Sequence, residues 1–386
     1  MNNAYVNEII ETIESYRPKL STTKSLLVAT DKRIFIHGAG NFGTATYNLL
    51  KDTGIPVEGF LDKDGGDGVM HLSKKVYYIG APEFFPFTKE DIIIIAYICS
   101  EEALRSAKAA WFSKGYMNVF YFLDIYALLI TNNLDFESSN AFSVTSSFHT
   151  AFNGIFERFL HVASMWADDE SRDVFRSFMM SIMMGNPGLF SPMSNQPQYF
   201  VSDIPFKKGY ARFIDCGAFD GDTASDLNRH KGAARIIACF EPDSQNFAML
   251  CSNLRKQRTA TEHILFPCGV WEKSEMLRFR AGEQSTSGIS KTGDTHVQCV
   301  AIDDVIPDFN PTFIKMDVEG SEYEALLGAQ NTITTSTPDL AISVYHRIDH
   351  MWEIPLLVES LAPDYAYYLR AHGDHGVETI MYAALK

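Results

Sequence analysis

The residues richest in chemistry stand where apolar runs end. In Arg212-Phe213-Ile214-Asp215-Cys216-Gly217-Ala218-Phe219-Asp220-Gly221-Asp222-Thr223 a run ends on Asp215, and a glycine turn follows. A turn built for a pyrophosphate reads G-x-G-x-x-G and carries no acid at its mouth. Here the order is D-x-G-x-x-x-G, and a carboxylate in that place repels a pyrophosphate and suits a cation. S-adenosylmethionine (SAM), with its ammonium and sulfonium, is such a ligand. A second run, Arg235 to Phe240, ends at Glu241-Pro242. Glu241 lies at the separation that lets an acid accept both ribose hydroxyls of an adenosine across the strand ends. The pattern predicts a SAM site of Asp215, Gly217, Ala218, Gly221, Thr223, Glu241 and Pro242, and hence methyl transfer.

Transfer from a sulfonium is an in-line displacement, with the acceptor oxygen about 3 Å from the methyl carbon. A sugar hydroxyl is a poor nucleophile at neutral pH, so a positioned base helps as its proton leaves. The run Leu340 to Tyr345 delivers His346, whose ordinary pKa near neutrality makes it the expected base. Phe313-Ile314-Lys315-Met316-Asp317 opens into Val318-Glu319-Gly320-Ser321-Glu322. Such a density of ionisable groups at one strand end points to a task. Asp317 and Glu319 either orient His346, bind the acceptor hydroxyl or take the proton themselves. Carboxylates also hold divalent cations, but no separate ligand constellation accompanies these two, and no metal is expected. Asp222 and Asp243 read as helix caps. Tyr199 and Phe200, at the entrance to this domain, cover a cofactor or bury the linker. With Cys268, Ser287 and Lys315 they complete the candidate contacts to cofactor or substrate.

A second glycine turn lies far upstream. The strand-like run Arg33 to His37 leads into Gly38-Ala39-Gly40-Asn41-Phe42-Gly43, a full G-x-G-x-x-G before a helix, and Asp62 stands where a ribose-binding acid belongs. This candidate nucleotide site (Gly38, Gly40, Gly43, Asp62) supports a rival reading, an NAD-binding or nucleotide-sugar-binding protein with a non-catalytic methyltransferase fold. Against it, no hydride-transfer residues accompany the motif, and such glycines also serve close strand–helix packing.

The elements that carry these residues are those of an α/β protein. Val6, Ile9, Ile10 and Ile13 predict a leading helix. Runs at Val57–Leu61, Asp91–Ile98 and Val119–Phe122 predict further strands of a small Rossmann-like domain over residues 1–125. Residues 126–205 read as a helical connector, with apolar faces on Phe152 to Trp166 and on Glu170 to Met184 that are core packing. Residues 206–386 form the second α/β domain. Within it, Met276–Arg280 and Val297–Ala301 predict an antiparallel insertion carrying the Thr286-Ser287-Gly288 loop.

At 386 residues the chain fits two domains, and its net charge of −15 argues against broad binding to nucleic acid or anionic membrane. Six cysteines show no C-x-x-C pair or metal-ligand spacing, and Met1–Leu20 has no apolar signal-peptide core. The apolar run Ile92–Ile98 is too short to span a bilayer. A cytoplasmic protein is expected, and a homo-oligomer is compatible with these features.

The run Asp215–Thr223, the Glu241-Pro242 corner, the block Ile314–Glu322 with Leu327-Gly328-Ala329, and Tyr345-His346 together resemble the FkbM family of SAM-dependent methyltransferases. The resemblance covers roughly residues 195–386, and its most specific parts are Lys315–Glu322 and the terminal Glu378-Thr379. It implies a class I methyltransferase fold, a seven-stranded sheet with an antiparallel last strand. It also implies O-methylation of a saccharide or polyketide-like hydroxyl. Phe219 occupies a place that many class I enzymes give to glycine, which predicts a bulkier turn.

Overall fold

The computed structural model describes residues 32–52, 54–80, 88–97, 99–125, 152–184, 186–280, 288–289 and 295–386. The expected leading helix and Ser287 lie outside the described residues. The chain divides into two compact units. The first ends at Leu160 and takes in Phe175–Ser191; the second holds His161–Val174 and Pro192–Lys386.

The first unit is built on β1 (Ile34–His37), β2 (Gly59–Asp62), β3 (Met70–His71), β4 (Lys74–Tyr78), β5 (Ile92–Ile95) and β6 (Val119–Tyr121), in the order β3-β4-β2-β1-β5-β6. Every pairing is parallel except β3 with β4. The unbroken apolar runs of β1 and β5 follow from burial on both faces of a parallel sheet. The β3–β4 hairpin carries no turn signature in the sequence, since its turn has neither glycine nor asparagine. Leu72 and Ser73 both take positive φ (48° and 61°), the left-handed pair that a two-residue turn requires. The glycine fingerprint folds as its pattern implies, with a helix beginning at Asn41. A Cβ on Gly43 would stand 1.9 Å from the Gly38 carbonyl oxygen, whereas Gly40 faces open space. Asp62 braces the turn, accepting from the Ala39 N–H at 2.7 Å.

The second unit centres on a seven-stranded sheet. Its strands are β7 (Arg212–Cys216), β8 (Ala234–Phe240), β9 (Ala260–Phe266), β14 (Phe313–Met316), β15 (Asp339–Ser343), β16 (Tyr365–Ala371) and β17 (Thr379–Leu385). The order is β16-β17-β15-β14-β7-β8-β9, with β17 antiparallel to both neighbours and the other pairings parallel. Strand order reverses at β7, so the connections after β7 and β14 part and leave a crevice at the strand ends. A second sheet, β10 (Gly269–Val270), β11 (Glu275–Arg280), β12 (Gly288–Ile289) and β13 (Thr295–Val300), holds the expected antiparallel β11–β13 pair. At the far edge, Trp166 bridges to Tyr367 and the Ser171 hydroxyl accepts from the Leu369 N–H. Arg370, 1 % exposed, pairs there with Asp168 and Asp203. Residues 161–174, read from sequence as connector, thus cover the edge of this sheet. No helix among the described residues is long and apolar enough to cross a membrane.

Candidate active site

Register decides what Asp215 does. β7 and β14 run side by side with Asp215 opposite Lys315, and the two close an ion pair at 3.1 Å with Asp215 fully buried. Lys315 also donates to the Gly217 carbonyl at 2.6 Å. Burial pushes the Asp215 carboxyl up to about 6, against the pull of Lys315. Burial works to lower the Lys315 pKa, but Asp215 foremost, then Asp317 and Asp222, override it and raise it. At neutral pH the pair is therefore ionised. Asp215 thus has an internal cation as its partner, and it is not among the residues that line the crevice.

The crevice itself is a cavity of about 270 Å³ at the ends of β7, β8 and β14. Gly217, with φ 77°, brings backbone to its wall, and Glu241 and Pro242 follow from β8. Glu241 accepts from the Phe219 N–H at 2.9 Å and the Asp243 N–H at 2.8 Å, which aims its carboxylate across the glycine turn. Burial raises its pKa to about 7. Phe219 takes φ 46°, so the turn keeps a glycine-like backbone and bears the strain of a side chain there. Of the nine non-glycine residues with positive φ among the described residues, Tyr199, Phe219, Glu319 and Glu378 line this one cavity.

Beyond β14 the acids gather around His346. Glu322, fully buried, accepts from the Val318 N–H at 3.0 Å and sits 2.8 Å from His346 Nδ1. Its other oxygen lies 3.1 Å from His350 Nδ1. His346 Nε2 faces Asp317 Oδ1 at 3.5 Å and Glu319 Oε2 at 3.7 Å. Tyr199 donates its hydroxyl to Asp317 Oδ2 at 2.7 Å. Burial alone would lower the His346 pKa, but Glu322, then Glu319 and Asp317, drive it up to about 10. The acids around the ring thus favour a cation at this position, either the imidazolium itself or a metal ion that takes the place of its Nε2 proton. Burial lifts Glu319 to about 7, with His346 opposing. The sequence implied no metal because its ligands are scattered; the fold brings Asp317, Glu322 and His346 donor atoms within 4.8 Å of one another.

Several predicted contacts converge and others do not. Gly217, Thr223, Glu241, Pro242, Tyr199, Lys315, Asp317 and Glu319 line the cavity. Ala218, Gly221, Phe200 and Cys268 do not. Ala218 and Phe200 belong to the hydrophobic core, where Phe200 packs on Tyr210 and Phe213. Gly221 caps a helix in left-handed conformation, and Cys268 is a buried thiol, raised to about 11 by burial.

Residues 215–375 match the family described as Methyltransferase FkbM domain. The matched stretch lies within the second unit. The whole chain is similar in fold to a methyltransferase FkbM from Methylobacillus flagellatus, with 21% identity and a TM-score of 0.72 over 98% of this chain and 99% of that one. A precorrin-6y C5,15-methyltransferase from Geobacter metallireducens aligns at 12% identity and a TM-score of 0.29, over 50% of this chain and all of that one. No curated protein matches.

Other residues line the cavity that the sequence does not single out as site residues: Asp222, Gln198, Tyr345 and Glu378 among them. Asp222 was read as a cap, but Gly221 occupies the cap position and leaves the Asp222 carboxylate at the cavity wall. Glu378 could have been found from its place just before β17, the strand paired to β15.

Proposed function

We propose that this protein is a SAM-dependent O-methyltransferase acting on a hydroxyl of a neutral saccharide or glycan precursor. One observation carries the reading: the cavity of the second unit is lined by Asp222, Glu241, Asp317, Glu319 and Glu378 against a single lysine. That lysine is already paired with Asp215. A wall of this charge favours a sulfonium and an ammonium and disfavours a phosphate. In this reading Glu241 accepts the ribose hydroxyls, and the Gly217 turn lies against the methionine portion. Asp317 and Glu319 hold the acceptor, since carboxylates accept hydrogen bonds from sugar hydroxyls. The acceptor oxygen attacks the methyl carbon, the carbon–sulfur bond breaks, and the hydroxyl proton passes to a cavity carboxylate. Six free cysteines, four of them buried, suit a reducing cytoplasm.

The test is a thermal shift with SAM, with its demethylated product and with NAD. SAM and its product are expected to raise the melting temperature. A shift with NAD and none with SAM sinks the reading and favours the Gly38–Gly43 motif. Labelled SAM offered with neutral glycans, nucleotide sugars and polyketides then identifies the acceptor, and labelling confined to nucleotide sugars would contradict the charge argument.

A further inference from the structure

Two facing buried atoms have no hydrogen-bond partner: Oδ1 of Asp317, which lines the cavity, and Nε2 of His346, which stands behind that wall and does not line it. They lie 3.5 Å apart, and Glu319 Oε2 lies 3.7 Å from the same nitrogen. Both separations exceed the hydrogen-bond range of roughly 2.7–3.2 Å. They are close to the spacing of donors around one ion, since two bonds of about 2.1 Å at right to tetrahedral angles put their outer atoms about 3.0–3.5 Å apart. The imidazole is oriented from behind by Glu322 at Nδ1, the outer-shell carboxylate that metal-bound histidines commonly have. Glu322 is itself fixed by the Val318 and Gly320 N–H groups.

We propose that Asp317, Glu319 and His346 form a divalent-cation site, with Glu322 as its outer-shell support, and that the ion binds the acceptor hydroxyl. An imidazole with two carboxylates suits a first-row divalent ion. Three protein donors from the ends of two adjacent strands leave positions open toward the cavity, as a catalytic rather than structural site requires. The role of the ion rests on the methyltransferase reading; the site itself does not. An ion-bound hydroxyl is more acidic. Its proton passes to a cavity carboxylate as the oxygen–carbon bond forms and the carbon–sulfur bond breaks, giving a methyl ether and the neutral thioether.

The experiment is a Mn²⁺ titration of the chelator-stripped full chain, reading free Mn²⁺ by electron paramagnetic resonance. One ion per chain is expected. Asp317→Asn and His346→Gln should weaken it at least tenfold, and Glu322→Gln by about 10–100-fold through loss of orientation. Glu319→Gln alters a side chain that is 32 % exposed, so it keeps the test open if a buried variant fails to fold; it too should weaken binding at least tenfold. Unchanged affinity in Glu319→Gln and Asp317→Asn, or no stoichiometric Mn²⁺ in the wild type, overturns the site. Wild type that binds the demethylated product of SAM but no Mn²⁺ overturns only the metal. Mn²⁺ bound and released by these variants, with no adenosyl ligand bound, upholds the metal and removes the methyltransferase reading.

Discussion

A Cβ on Gly217 would stand 1.9 Å from the carbonyl oxygen of Asp317. The two strand ends that carry the candidate cofactor turn and the acidic cluster are therefore in backbone contact, and only a residue without a side chain permits it. Gly217→Ala adds this clash to a φ of 77°. A loss of about 3 kcal/mol or more is expected, measured by urea unfolding, together with loss of the SAM-induced thermal shift. An unchanged urea midpoint would show that the two strand ends can part at little cost.

Tyr199 secures Asp317 from the other side. Its hydroxyl donates to Asp317 Oδ2 at 2.7 Å and accepts from Gln198 Nε2 at 3.1 Å. Tyr199→Phe leaves a carboxylate oxygen of limited exposure without its donor, and stability should fall by about 1–3 kcal/mol in urea. Because the ring remains, its packing beside Lys315 at 5.3 Å is retained. A loss below a few tenths of a kcal/mol would mean that water replaces the hydroxyl freely.

What the sequence disclosed and withheld follows the physics of strands. Runs that end on an acid are local patterns, so the sequence alone sets Glu241 and Asp317 at one sheet edge. The seven-stranded sheet with its antiparallel last strand followed from the family resemblance. Register is not local, and so the Asp215–Lys315 pair was invisible: 100 positions apart, they meet only because β7 and β14 align. The same holds for the cluster of Asp317, Glu322 and His346, which joins the ends of two strands. The apolar run suggests a strand reaching His346, but β15 ends at Ser343, and Val344 and Tyr345 are buried beyond it.

The Asp215–Lys315 pair makes a prediction that separates structure from ligand binding. Lys315→Met alone strands a buried carboxylate and should cost about 3–5 kcal/mol. The double variant Asp215→Asn with Lys315→Met removes both charges and should recover most of that loss, since buried pairs often exchange for neutral groups at little cost. Urea unfolding of the two single variants and the double gives the coupling. If Asp215 acts only through Lys315, the double variant still binds the demethylated product of SAM within about tenfold of wild type, a factor worth about 1.4 kcal/mol. Complete loss of binding in a stably folded double variant would restore Asp215 as a direct ligand.

Glu241 sets the expected pH dependence of cofactor binding. Its carboxyl, raised by burial to about 7, is held down by the Asp243 and Phe219 N–H groups, pushed up by the Asp243 charge and lowered by Lys315. Ribose hydroxyls donate to the ionised carboxylate and not to its protonated oxygen. Binding should therefore favour the deprotonated form and release a proton. Above the free-protein pKa the carboxylate is already ionised and affinity is flat. Below it a proton must first leave, and the dissociation constant should climb by up to tenfold per pH unit. Calorimetric titration with the demethylated product from pH 5.5 to 8.5 should show weakening on the acid side of about 7. Glu241→Gln should bind about tenfold or more weakly at pH 8 and lose this acid-side slope, the loss corresponding to about 1.5–3 kcal/mol for a charge-assisted hydrogen bond. The same slope in wild type and variant would assign the titration to another group and remove Glu241 from the ribose.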